Sequence, residues 1–536
     1  MRATSIFVGG LCTVSLLALA AGADVRLVDA AAEQDAQAVR ALLNEGIDVN
    51  EPRADGTTAL LWAAHWDDRE MAELLLDAGA QVNAADDHGE VPLMRACENA
   101  SLAMVKALVA AGADVNAAKA SGLTSLMIAA GTGSVQVVRA LLAGGADVSA
   151  TTTTGVTALM WAVAAPHLDI AHVLLESTAD VQVSSKKGFT PLLFAARNGD
   201  IELARLLISA GADVNEPGSD GTLPLVYSII ASQDAFALFL LEQGADPNGA
   251  MQGVSPLHAA AGNASTWLAE WYRTHGRGAG ANGGIYGGVK GLTPERRLPV
   301  VQALLAHGAD PNARITTTAV VLGYLARPRR GAFEQNAVGT GDVRGATALW
   351  VAGFSANGGG LFGDDARYRF DSSPEIIRTL LAAGADPNLM TDDGTTPLMV
   401  AAGLGYRSYQ PHTPRGQRSP SAEESVKALV EAGADVTAVN EGDFTALHAA
   451  TFRGLNEVVE YLVEQGADID ARDYRGRTPF RLAEGAKQSF QFQAFPETAE
   501  LLRQLGANTR LGIPGTVHER ADRDVGSANQ ENAQSR

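Results

Sequence analysis

A short phrase built around one leucine returns every 33 residues along this chain, and no other feature of the sequence restricts its fold as tightly. The leucine stands at Leu27, Leu60, Leu93, Leu126, Leu159, Leu192 and Leu225, then at Leu257, Leu349, Leu398 and Leu447, with Phe480 taking the place 33 residues further on. A second marker, usually written Gly-Ala-Asp, keeps step with it at Gly79, Gly112, Gly145, Gly211, Gly244, Gly308, Gly384, Gly433 and Gly466. Two independent markers in register describe an array in which each unit packs only on its neighbours. Such an array explains how 536 residues, only 6% of them aromatic, can fold without the several thick cores that this length otherwise requires.

The residues of one unit explain the period. In Thr190-Pro191-Leu192-Leu193-Phe194-Ala195-Ala196, the threonine can cap a helix and the proline occupies the first helical position, where its missing N–H costs nothing. The alanines allow a neighbouring backbone to come close. Ile201, Leu203, Leu206 and Leu207 then form the apolar stripe of a second helix, which Gly211 ends. Asp213-Val214-Asn215 and Asp220-Gly221 supply a projecting turn.

This phrase resembles the ankyrin repeat, a helix-turn-helix unit followed by a β-turn finger, and it recurs about twelve times between about residues 24 and 511. The resemblance implies an all-α solenoid whose fingers and first helices form a concave face, used by the family for protein–protein binding. Local departures are Thr178 in place of the helix-ending glycine and Tyr227-Ser228-Ile229 in place of the usual His-Ala-Ala. His258 and His448 stand at the family's histidine, which implies a neutral ring bonded between neighbouring turns and no metal or catalytic role. Trp62, Trp161, Phe194 and Tyr227 recur at one position of the first helix and are read as packing between repeats. Cys97 takes an alanine position and is read as a small buried thiol. Trp66, Asn99 and Arg197, just beyond that row, are the expected concave-face contacts to a partner.

The spacing of the markers also locates the interruptions. Between the two helices there are 32 extra residues after Leu257, 16 after Leu349, 16 after Leu398 and seven after Phe480, with 27 more in the finger after Gly308. Excursions of this length are usually functional or disordered. The four between the helices hold 13 of the chain's 30 aromatic residues, together with many of its arginines. Aromatic plus arginine is the composition of interface anchors. Trp267, Trp271, Tyr272, Arg273, Arg296, Arg297, Tyr368, Arg369, Tyr406, Arg407, Tyr409 and Arg415 are therefore expected to form a partner-binding lobe, the alternative being that they only brace the stack. An acid–base site could also be assembled from Asp364, Asp365, His412 and Tyr406, but glycine-rich loops hold catalytic groups too loosely. An enzyme, or an effector acting on a host protein, is thus the alternative function.

Residues 1–23 differ from everything after them. Arg2, the apolar run from Ile6 to Ala21 and the Ala21-Gly22-Ala23 phrase read as a secretory signal cut before Asp24. The competing reading is a retained anchor, but the run is shorter than the ~20 residues that span a bilayer. Cys12 lies in this segment, so Cys97 is alone in the mature chain, which excludes an intramolecular disulfide and a cysteine-based metal site. A net charge of -20 disfavours nucleic acid as a partner, because phosphate binding works through lysine and arginine. Gly278-Ala279-Gly280-Ala281-Asn282-Gly283 matches a nucleotide-loop pattern without the strand such a loop must follow. The expected organisation is a signal at 1–23, regular repeats at 24–250, repeats with insertions at 251–439, C-terminal repeats with a cap at 440–511 and a disordered tail at 512–536. The expected protein is a periplasmic or secreted monomer with a protein partner, no metal and no cofactor.

Overall fold

The computed structural model describes residues 24–262, 268, 271, 291–316, 344–355, 374–404, 418–473, 476–488 and 491–512. The signal, the tail and most of each long insertion lie outside these residues. Contacts group the chain into two compact units, Met1–Asp180 and Val181–Arg536. That division falls inside the stretch that the sequence reads as regular repeats.

Each unit is built from antiparallel helix pairs. The first unit contains five, from Arg26–Ala32 with Ala36–Asn44 to Ala158–Ala164 with Leu168–Glu176. The second contains seven, from Pro191–Asn198 with Ile201–Ser209 to Pro479–Glu484 with Pro496–Gln504, among the described residues. Within a unit, the first helix of each pair packs on the first helix of the next. The marker leucines form the floor of these contacts; Leu60, Leu93, Leu192 and Leu349 are all buried. The capping chemistry matches the sequence: Thr190 Oγ1 accepts the Leu193 N–H at 3.3 Å with Pro191 at the first helical position. One addition to the all-helical plan is a small antiparallel hairpin, Ala486–Gln488 with Gln491–Gln493, at the seven-residue insertion.

Asparagines hold the register of the fingers. Asn215 Nδ2 donates to the Gly244 carbonyl at 3.2 Å while its Oδ1 accepts the Asp246 N–H at 2.7 Å. Asn83 and Asn116 repeat this double bond in the first unit. In the second unit Asn248 reaches Gly308 and Asn312 reaches Gly384, each at 3.0 Å, across 60 and 72 residues of sequence. Those spans cross the two longest insertions, so the repeat register passes them unbroken.

The ladder lapses where Ser149 replaces the asparagine and turns its hydroxyl onto its own Asp147. In the following repeat Thr178 occupies the glycine position at φ +66°, where Gly112 and Gly145 stand at +88° and +89°. A β-branched residue is strained there, at a cost of roughly 1–2 kcal/mol. Thr178→Gly should therefore raise stability by about 1 kcal/mol, partly offset by the flexibility glycine adds to the unfolded chain. Thermal melting checks this, and an unchanged or lower midpoint would show that the left-handed turn costs nothing.

The two family-position histidines are structural. Ser255 N–H donates to His258 Nδ1 at 3.3 Å, which places the proton on Nε2, and that N–H donates to the Ala346 carbonyl at 3.1 Å. His448 does the same between Thr445 and the Arg477 carbonyl. Burial pushes His258 down from 6.5 to about 4 and lowers His448 as well. Protonating the unfolded chain but not the folded one removes stability, fully retained above pH 6.5, progressively as pH falls toward 4. For His258 alone the loss amounts to about 3 kcal/mol by pH 4. Urea midpoints at pH 7.5 and 4.5 should show it; a flat profile between them would contradict the neutral-ring assignment.

Candidate protein-binding surface

The first helices leave one row of side chains on their outer side. In Ala59–His65, capped by Thr58 through the Leu61 N–H, the buried set is Ala59, Leu60, Leu61, Ala63 and Ala64. Trp62 and His65 are left outward, followed by Trp66 at the helix end. The three rings form a cluster: Trp62 and Trp66 stack with centroids 6.1 Å apart, and the His65 ring meets each of them edge-on. Arg53 from the preceding finger lies 5.6 Å over Trp62 and pairs with Asp29 at 2.6 Å. Trp66 remains 43% exposed. Trp161, at the position of Trp62 three repeats on, packs on Gly131 of the preceding repeat as the sequence reading has it, yet 39% of the residue stays exposed. Phe194 is half-buried and Tyr227 is buried, as that reading has them.

The end of the first helix and the turn after it carry a device that the sequence did not reveal. Trp66 Nε1 donates to the Ala32 carbonyl at 3.1 Å, and Asn99 Nδ2 donates to the Ala64 and His65 carbonyls at 3.0 and 2.8 Å. Thr132 Oγ1 reaches the Cys97 carbonyl and His167 Nε2 the Gly131 carbonyl. Each adds a side-chain donor at the carbonyl end of the preceding first helix, where intrahelical donors run out. The polar groups of Trp66 and Asn99 are thus partly used within the stack, and what Trp66 offers outward is its ring. No residue-type pattern links tryptophan, asparagine, threonine and histidine; Trp66, Asn99 and Thr132 stand 33 residues apart, but His167 comes 35 after Thr132. Arg197, in the second unit, is exposed and lies 5.0 Å over Phe194. Cys97 is buried, and burial pushes its thiol up to about 12.

Three of the expected lobe residues fall among the described ones, and all three are tied to the stack. Trp271 is only 1% exposed; its Nε1–H donates to Thr222 Oγ1 at 2.7 Å and its ring packs at 5.4 Å on Tyr227. Arg297 is 4% exposed and donates to the Leu292 carbonyl at 3.1 Å. Arg296 donates to the Ser232 carbonyl at 2.7 Å and pairs with Asp234, whose carboxyl it holds below the usual range. As surface anchors Trp271 and Arg297 are withdrawn: an indole and a guanidinium sealed inside this packing have no face left for a partner. Trp267, Tyr272, Arg273, Tyr368, Arg369, Tyr406, Arg407, Tyr409 and Arg415 lie outside the described residues, as do Asp364, Asp365 and His412.

The charges along the row of the first unit are satisfied internally. Glu90 pairs with both Arg95 and Lys119, and Arg95 also meets Glu98 at 2.8 Å. Around them the unit is acidic, with 22 aspartates and glutamates against eight lysines and arginines between residues 24 and 180. No group of three or more potential metal ligands occurs among the described residues, and none of their helices is long and apolar enough to cross a membrane.

The family model for ankyrin repeats (3 copies) matches residues 27–119, 93–185, 180–251 and 416–508, together more than half of the chain. The chain belongs to the ankyrin-repeat family. Human ankyrin repeat and SOCS box protein 16 is 35% identical over 147 residues, 27% of this chain and 28% of that protein. Alpha-latroinsectotoxin-Lt1a of Latrodectus tredecimguttatus is 35% identical over 128 residues, 24% of this chain and 8% of the toxin. The B-cell lymphoma 3 protein homolog of Mus musculus is 34% identical over 108 residues, 20% of this chain and 21% of that protein. This ankyrin-repeat chain spans less than a third of each relative's length. Ankyrin repeats generally mediate protein–protein interaction.

Proposed function

We propose that this chain is an exported scaffold that holds a protein partner on the outward row of its first repeats, and that it is not an enzyme. The observation that carries the reading is the aromatic surface left exposed at Trp66 and Trp161 in the first unit, against Trp271 and Arg297 of the insertions, which are buried. Exposed tryptophans on a rigid helix end are the usual material of binding hot spots. The acidic surroundings add electrostatic selectivity and speed of encounter. Export rests on the signal-like sequence of residues 1–23, and the mature chain then begins at Asp24. The aromatic and arginine content of the insertions supports a second, subsidiary contact region.

Cross-linked capture from the cell envelope tests the reading, with the mature chain as bait and its intact mass recorded. The Trp66→Ala, Trp161→Ala double variant should lose partner recovery by tenfold or more, since hot-spot truncations cost about 2 kcal/mol each. Trimming the insertions to plain-repeat turns should matter less. Full recovery by the double variant, with loss on trimming, would transfer binding to the insertions.

A further inference from the structure

Two rings of the first-helix row carry a guanidinium. Arg53 lies over Trp62 at 5.6 Å, and four repeats later Arg197 lies over Phe194 at 5.0 Å. The cation comes from nine residues before the ring in the first case and three residues after it in the second. At Tyr227, one repeat beyond Phe194, the ring is instead packed against Trp271.

Trp161 holds the same position, and both sources of a cation are missing there. Nine residues before it stands Thr152, and three residues after it stands Ala164. The ring rests on the preceding first helix at Gly131, where a Cβ would come within 3.4 Å of its Cε3, and 39% of the residue is exposed. Between residues 24 and 180 acids outnumber bases by 22 to eight, so the unit as a whole attracts positive charge.

We propose that Trp161 leaves its half of this contact open for the partner: its exposed indole receives an arginine or lysine side chain from a basic segment of the bound protein. The inference rests on the protein-binding reading above and names the chemistry of the partner. A cation over an exposed indole contributes about 0.5–1 kcal/mol, which is roughly two- to fivefold in affinity.

Calorimetric titration of the mature chain with an arginine-rich peptide, and with the same peptide carrying citrulline at each arginine, separates this contact from bulk charge attraction. Trp161→Ala leaves the protein's charge unchanged and should weaken the arginine peptide about two- to fivefold, with Trp161→Phe in between. The citrulline peptide should not distinguish wild type from Trp161→Ala. Thr152→Arg, which restores the cation found beside Trp62, should weaken the arginine peptide while leaving the ring in place. Circular dichroism confirms that each variant is folded. Equal affinity of wild type and Trp161→Ala for the arginine peptide overturns the inference, even where capture of the natural partner still depends on Trp161. Survival of that capture in the Trp66→Ala, Trp161→Ala variant defeats the docking surface itself.

Discussion

Replacing Trp271 by alanine is expected to destabilise the second unit by about 3–5 kcal/mol, the cost of emptying a fully buried large aromatic site. The ring is enclosed, sits tilted against Tyr227 and lies in the segment between the helices Pro256–Ala261 and Pro294–Ala306. Its N–H donates to Thr222 Oγ1, and that hydroxyl donates in turn to Asp220 Oδ2 at 2.7 Å. Trp271→Phe keeps most of the ring and loses the donor, so it should cost less, about 1–2 kcal/mol over the hydrogen bond and the volume change. Urea unfolding of both variants gives the order. If Trp271→Ala lost less than 1 kcal/mol and instead abolished partner capture, the tryptophan would be a binding anchor after all.

The same substitution separates bracing from binding for the insertion that carries it. Trp271, the Arg296 bond to Ser232 and the Gly291 N–H to Ile230 carbonyl bond at 3.0 Å all point to the preceding repeat. Four contacts of one segment on one neighbour, counting Tyr227, stabilise that repeat pair and close over its aromatic position. In an array whose stability is a sum over neighbouring interfaces, a loss at this interface is felt locally first.

The period made the helix pairs legible, because the leucine, glycine and threonine-proline positions are each dictated by a local requirement that every repeat must meet. The places of the insertions were legible for the same reason, and the Asn248 and Asn312 bonds show why the register survives them. The surface was less legible. Trp62 and Trp161 are the same residue at the same repeat position, yet one is shielded by Arg53 and the other is open, a difference set nine residues away on a neighbouring finger. Trp271 carries the composition of an interface anchor and is buried, because composition says which residues can bind but not which face they turn to. Trp66 and Asn99 hold outward positions while their polar groups serve the carbonyls of the helix behind them, a pairing that only the stacked geometry creates.

Arg477→Ala is expected to be as damaging as Trp271→Ala, by a different route. Arg477 and Asp473 are enclosed together in the last finger, with side chains 6% and 0% exposed. The guanidinium meets Asp473 Oδ2 through Nε at 2.8 Å, and the Arg477 backbone N–H donates to Asp473 Oδ1 at 2.8 Å. Removing the arginine leaves a carboxylate sealed from water without its counter-charge, and breaking a buried pair in this way costs about 3–5 kcal/mol. The damage should spread to His448, whose Nε2–H donates to the Arg477 carbonyl at 3.3 Å and so ties this finger to the preceding first helix. Hydrogen exchange should accordingly show the last two helix pairs, from Ala446–Arg453 to Pro496–Gln504, opening before the rest of the unit. Removing both charges, as in Asp473→Asn with Arg477→Met, should recover much of the loss, because the pair's attraction is largely offset by the desolvation of its two ions. A double variant no better than Arg477→Ala would mean that the finger depends on the ion pair itself and not on avoiding a stranded charge.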